Sequence, residues 1–243
     1  MTGKPARRGR TTGLGWRDVL AVTVVFVLTL IAVDAAWPVM SGSLGRAGTD
    51  KTTIQIAGQL VYSLCLALAV FGPLAVIVRR RRSVSWKKLG LAPTGRRVMW
   101  VGLAAGLAGY TIIGLIDGAM ALVLGRELVD TSRLFVEGVD PTWITAGISF
   151  LATVAVLPIL EELLFRGVLL GWLQERIPAV LALVVSALAF SAYHWNADYI
   201  ASLTALGLIF GWVYQRTRSI WPAVIAHGTY NLMIDLYGFF SPD

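Results

Sequence analysis

Residues 157–176 read LPILEELLFRGVLLGWLQER. Two adjacent carboxylates, Glu161 and Glu162, and one guanidinium, Arg166, interrupt a run that is otherwise apolar. A charge at the centre of a membrane helix costs about 2.5–3.5 kcal/mol on insertion scales, so three unpaired charges would cost on the order of 8–10 kcal/mol. Glu162 and Arg166 stand four residues apart, so they share a helical face and can pair. Glu161 lies about 100° further round the helix and is left free for another purpose. A buried structural ion network is one reading of this trio; a functional carboxylate is the better one.

The rest of the chain shows why a membrane is the right frame. Of 243 residues, 56% are hydrophobic and 14% charged, where a soluble domain carries about a quarter charged residues. Mean hydropathy is +0.71. These values exclude a disordered chain and an ordinary soluble enzyme. Cys65, alone and inside an apolar run, excludes a disulfide scaffold and a cysteine-based metal site. Spanning helices need about 20 mostly apolar residues, and seven stretches qualify, at about 19–40, 54–78, 98–124, 143–174, 178–195, 200–215 and 220–239. Their apolar runs are continuous and do not alternate, so they read as helices and not barrel strands. The expected fold class is therefore all-α, a polytopic bundle of about seven spans around an intramembrane polar cavity. The fourth stretch is too long for a straight span, and Pro158 is the expected kink.

The net charge of +7 is a topology signal before it is a binding signal, and no nucleic-acid partner is expected. Sixteen of the 21 basic residues fall before span one, between spans two and three, and at the turns marked by Arg176, Arg216 and Arg218. Arg46, Lys51, Arg126 and Arg133 fall on the other side, and Arg166 within a span. The positive-inside rule then places the amino terminus in the cytoplasm and the carboxyl terminus outside. Anionic lipid is a secondary contact for the basic turns. The first span has the basic start of a signal peptide, yet its apolar run continues through Trp37 and Pro38 to Met40, which favours a retained helix. Glycines at four-residue spacing, 102/106, 114/118, 167/171 and 207/211, read as close helix packing. No repeat suggests the inverted halves of a transporter. Organisation is expected as a basic tail (1–18), two amino-terminal helices with a basic loop (19–85), and a core (86–243).

The chain has two histidines. His194 closes Phe190-Ser191-Ala192-Tyr193-His194, and His227 opens His227-Gly228-Thr229-Tyr230-Asn231. At 1.5 Å per residue from the basic turns, Glu161 lies roughly 22 Å deep, His194 roughly 24 Å, and His227 and Asn231 roughly 14 and 20 Å. Polar groups from three helices thus converge near mid-membrane. Asp117, in span three, is a weaker candidate for a water cavity or ion path. Asp34 and Asp235 lie nearer the outer ends, where hydration accounts for them.

A carboxylate beside two imidazoles and a carboxamide suits water activation and amide hydrolysis. Glutamate takes the proton from water, and histidine and asparagine donors hold an oxyanion. Zinc on Glu161, His194 and His227 is the alternative, since two His and one Glu with an open position form a known catalytic set. No His-Glu-x-x-His, Gly-x-Gly-Asp or membrane-embedded Gly-x-Ser-Gly is present.

Glu161-Glu162-x-x-x-Arg166, Phe190-x-x-x-His194 and His227-x-x-x-Asn231 together resemble the three motifs of the CAAX protease and bacteriocin-processing (CPBP, or Abi) family of intramembrane proteases. Trp86-Lys87-Lys88-Leu89-Gly90-Leu91 resembles that family's cytoplasmic segment, and the likeness covers about residues 86–236. The resemblance implies a helical bundle with a cavity open to the cytoplasm and cleavage of a membrane-associated peptide or protein. It implies Glu161 as general base, His194 as its partner in orienting water, His227 and Asn231 as the oxyanion site, and Glu162 and Arg166 as support. It leaves metal dependence open, and a cofactor-free mechanism is the preferred expectation. The competing class is a non-catalytic membrane protein: a bacteriocin immunity factor, a scaffold or a transporter component. Four lysines among 21 basic residues fit a GC-rich bacterium, so the expected location is a bacterial cell membrane.

Overall fold

The computed structural model describes residues 11–125, 147–148, 150–195 and 199–240. Seven helices follow one another: α1 (Trp16–Arg46), α2 (Lys51–Arg80), α3 (Arg96–Leu124), α4 (150–173), α5 (Ala179–Tyr193), α6 (Ile200–Thr217) and α7 (Trp221–Phe240). They correspond to the seven expected spans, and the protein is an integral membrane helical bundle. Helices α1, α2 and α3 are each long and apolar enough to cross a bilayer on their own; α5 is a shorter apolar helix. Large apolar side chains such as Leu28, Leu115, Leu122 and Val180 stay exposed around the outside, as a lipid-facing surface requires. The start of the fourth expected span, 143–146, lies outside the described residues.

Helix α4 departs from a regular helix on both sides of the glutamates. Ala152–Val156 and Leu163–Leu170 are π-helical, and Leu157–Glu162 between them is α-helical. Pro158, the expected kink, instead accompanies a change of hydrogen-bond register. Leu157 donates its N–H to the Ala152 carbonyl, five residues back, and Pro158 has no N–H to offer. The Thr153 carbonyl therefore loses both of its usual helical donors, and the Asn231 side chain fills in at 2.8 Å. π-Turns inside α-helices concentrate at functional sites, and these flank the glutamates directly.

One end of the bundle gathers all the basic turns. Arg81 pairs with Asp18 at 2.9 Å, Arg176 donates to the Leu14 carbonyl at 3.1 Å, and Arg218 donates to Gln174 at 2.6 Å. Ile220 donates its N–H to the Gly90 carbonyl at 3.0 Å, tying the 86–91 segment to the start of α7. Of the expected tail 1–18, residues 1–10 lie outside the described residues and the rest does not hang free. Thr12 and Leu14 are buried, and the Thr12 hydroxyl donates to Glu175 at 2.6 Å. Nor is residue 85 a packing boundary, because one apolar core joins Leu14, Phe26 and Leu66 to Leu89, Leu163, Phe190 and Ile220.

The glycine spacing separates into two kinds. Helix α3 packs most extensively on α7, and a Cβ on Gly102 or Gly106 would collide with the carbonyl of Pro222 or Ala226. Gly167, Gly171, Gly207 and Gly211 also meet close neighbours, whereas Gly114 and Gly118 meet none. The packing reading holds for the first sets and not for the 114/118 pair.

Candidate active site

Helix α4 presents Glu161 and Glu162 to the bundle interior, where both are buried, together with a fully buried Arg166. Arg166 Nη1 donates to Glu162 Oε1 at 2.9 Å, and Nη2 donates to the Gly207 carbonyl at 3.2 Å. The guanidinium also lies 4.5 Å from the Phe190 ring centre and 5.5 Å from that of Phe210, a cation–π box that offsets part of its desolvation. The expected i,i+4 pair is therefore present, and the trio divides as the sequence reading divides it.

His227, buried on α7, bridges the two glutamates. Its Nδ1 lies 3.1 Å from Glu162 Oε1, and its Nε2 lies 3.9 Å from Glu161 Oε2. The ring stacks on Phe210 with centroids 5.0 Å apart. Glu162 Oε1 is the oxygen that accepts from Arg166 Nη1, and as an acceptor it leaves Nδ1 as the donor toward Glu162. That contact fixes the tautomer and leaves Nε2 facing Glu161, the usual work of a carboxylate behind an imidazole. Glu161 Oε2 has no hydrogen-bond partner although it is buried. A gap of 3.9 Å is too long for a direct hydrogen bond.

His194 follows the last residue of α5, and its ring is exposed. Its Nδ1 lies 2.9 Å from the Phe190 carbonyl. A carbonyl only accepts, so Nδ1 is the donor and the His194 Nε2 is the nitrogen with a free lone pair. Asn231, one turn beyond His227, turns its amide nitrogen to the Thr153 carbonyl, which uses one of its two N–H bonds and leaves the other.

Glu161, His194, His227 and Asn231 all line one cavity of about 400 Å³, with Leu30 and Asp34 from α1, Gln59 and Tyr62 from α2, and Thr153, Leu157, Tyr193 and Trp195. Several of these escaped the sequence reading. Tyr62 and Tyr193 join hydroxyls at 3.3 Å across the cavity wall, and neither motif spacing nor composition marks the pair. Gln59, a polar residue in span two, was the available signal that α2 faces the cavity. Asp34 lines the cavity, where the sequence reading left it to hydration. Asp235, assigned to hydration as well, accepts from the Thr153 hydroxyl at 2.6 Å. Asp117 bonds Ser202 between α3 and α6 and does not line the cavity.

Zinc requires ligands that converge on one point. Among the described residues no group of three His, Cys, Asp or Glu is close enough to hold a metal ion. Glu161 and His227 approach one another, but His194 does not complete a set with them in this arrangement.

Comparison with known proteins agrees with the motifs. Residues 143–233 match the family model described as "Type II CAAX prenyl endopeptidase Rce1-like". The resemblance to the CPBP family is borne out. The CPBP-like match takes in α4 to α7 and with them all six motif residues. "Putative membrane peptidase YdiL" of Bacillus subtilis (strain 168) is 25% identical over 227 residues, covering 90% of this chain and 86% of that protein. "UPF0177 protein YbdI" of Lactococcus lactis subsp. lactis (strain IL1403) is 26% identical over 141 residues, covering 54% of this chain and 74% of its own length. No solved structure matches. The CPBP-like region supplies every ionisable motif residue, while α1 and α2 supply one wall of the cavity.

Proposed function

We propose that the chain is an intramembrane endopeptidase of the CPBP type that hydrolyses a peptide bond of a membrane-associated substrate with water activated by Glu161. The observation that carries this reading is the place of Glu161 on the wall of a cavity about 400 Å³ in volume, its buried Oε2 without a hydrogen-bond partner and 3.9 Å from His227 Nε2; Glu162 Oε2 is likewise buried without a partner but does not line the cavity. A buried carboxylate oxygen without a partner is costly for folding alone, and a general base needs such an open face.

In this reading Glu161 takes a proton from water while the free Nε2 of His194 helps to orient it. The new hydroxide attacks the carbonyl carbon of the peptide. The oxyanion that forms accepts from the second N–H of Asn231 and from His227 Nε2. His227 serves as donor only as an imidazolium, since Nδ1 already spends one proton on Glu162. Glu161 then returns its proton to the amide nitrogen as the C–N bond breaks. Glu162 and Arg166 position His227 and do not touch the substrate. The mechanism needs no cofactor.

The charge distribution supports an amino terminus in the cytoplasm of a bacterium and a carboxyl terminus outside. The test of function is cleavage of a quenched peptide library by the purified protein beside its Glu161→Gln variant. Cleavage by the wild type and its loss in the variant are expected. Equal cleavage by both would move the base elsewhere, and cleavage by neither would favour a non-catalytic role.

A further inference from the structure

We infer that Thr153 and Asp235 are positioning residues for the oxyanion site: together they fix the amide of Asn231 so that its second N–H is held ready for the substrate. The inference rests on the peptidase reading. The last torsion of an asparagine side chain is broad, so the backbone of α7 alone does not set the direction of this donor. A group outside the side chain has to set it. That group is one residue of α4, gripped at two points by two residues of α7. The Thr153 carbonyl accepts from Asn231 Nδ2 at 2.8 Å, and the Thr153 hydroxyl donates to Asp235 Oδ2 at 2.6 Å. Asn231 and Asp235 stand four residues apart and so share one face of α7.

The surroundings are shaped for this grip. Gly228, three residues before Asn231 on the same face, lets α7 come close: a Cβ there would collide with the Val154 carbonyl, next to Thr153. The π-turn of Ala152–Val156 and the missing N–H of Pro158 free the Thr153 carbonyl from its usual helical donors, which opens it to Asn231. Thr153 is buried at 1% exposure, and it lines the same cavity as Glu161 and Asn231. A carboxamide carries two N–H bonds on one nitrogen. Tying one of them to a carbonyl fixes the direction of the other. A donor fixed before charge develops needs no reorganisation at the moment of reaction. Asp235 acts at one remove, holding the hydroxyl of the residue whose carbonyl holds Asn231.

Purified variants test the assignment. Thr153→Val removes the hydroxyl at nearly constant volume, and Asp235→Ala removes its acceptor. Each is expected to lower kcat on a cleaved peptide at least about fivefold with KM unchanged. Thr153→Ser, which keeps the hydroxyl, and Asp235→Asn, which keeps an acceptor oxygen, should recover most of that loss. In an Asn231→Ala background Thr153→Val should cost less than about twofold more, since no amide remains to be oriented. Fully additive losses, or a raised KM with unchanged kcat, overturn the inference. Asp235→Ala replaces Thr153→Val in this cycle if the latter does not fold. A second readout needs no turnover. The chain has two asparagines, Asn196 and Asn231, so isotope labelling of asparagine side chains gives two amide resonances, and Asn196→Gln identifies that of Asn231. This resonance should move in Thr153→Val and Asp235→Ala and return in Thr153→Ser; an unmoved resonance overturns the positioning role. Wild-type protein that cleaves no peptide overturns the peptidase reading and the oxyanion clause with it, while the amide resonance still decides whether Thr153 and Asp235 hold Asn231.

Discussion

His227 donates from Nδ1 to Glu162 at 3.1 Å and holds Nε2 3.9 Å from Glu161, so two neighbouring carboxylates in one sequence meet the two nitrogens of one ring. The adjacent glutamates have different partners and are expected to fail differently when changed.

Glu161→Gln preserves size and removes basicity at an oxygen that bonds nothing. Turnover should fall by about 10²–10⁴, the usual contribution of a general base, while the melting temperature in detergent stays near that of the wild type.

Glu162→Ala should instead unfold the site. It leaves Arg166 buried and without its counter-charge, a change that costs about 3–5 kcal/mol when one partner of a buried pair is removed. A thermal melt reads it directly. A Glu162→Ala protein as stable as the wild type would mean that the Gly207 carbonyl and the two phenylalanine rings suffice for Arg166.

Asn231→Ala tests the oxyanion assignment against a purely structural one. Losing the bond to the Thr153 carbonyl costs about 1–3 kcal/mol of stability, whereas losing an oxyanion donor costs about 10²–10³ in kcat. The expected result is a folded variant with depressed kcat and little change in KM. A raised KM with unchanged kcat would make Asn231 a ground-state contact. Asn231→Asp should be worse for folding than Asn231→Ala, because an ionised carboxylate would face the Thr153 carbonyl.

Exhaustive dialysis against a chelator should leave peptide cleavage intact. Loss of activity that added zinc restores would require His194 to swing toward Glu161 and His227 and would reinstate those three as ligands.

Gly106→Ala should destabilise the bundle, since the new methyl would meet the Ala226 carbonyl and a side chain, Thr229. Gly118→Ala meets nothing and should be neutral or slightly stabilising. Paired melts check both.

Motif residues were legible because charge in an apolar run has few innocent explanations: Glu162 with Arg166 follows from spacing alone, and convergence of Glu161, His227 and Asn231 follows from depth counting. What spacing could not supply was the backbone. An exchange of helical register around Pro158 depends on which carbonyls lose donors, and only a partner from another helix, Asn231, completes the account. His194, near the end of the expected span 178–195, follows the last residue of α5 and lines the cavity. Gly102/Gly106 and Gly114/Gly118 share one spacing and differ only in what faces them. Asp34 reads as hydrated because the sequence does not say which face of α1 turns inward, and Gln59 of α2 lines the same cavity.

The buried layer of Leu14, Leu89 and Ile220 bears on bioenergetics. Water filling the cavity would shorten the insulating path, and the transmembrane voltage would then fall mainly across packed side chains such as these. Each elementary charge crossing the full voltage carries about 2.3 kcal/mol per 100 mV, and much of that drop would be concentrated on these few apolar side chains. A membrane bundle with such a cavity has to be proton-tight through its packed layer, or it would discharge the gradient across the membrane that holds it.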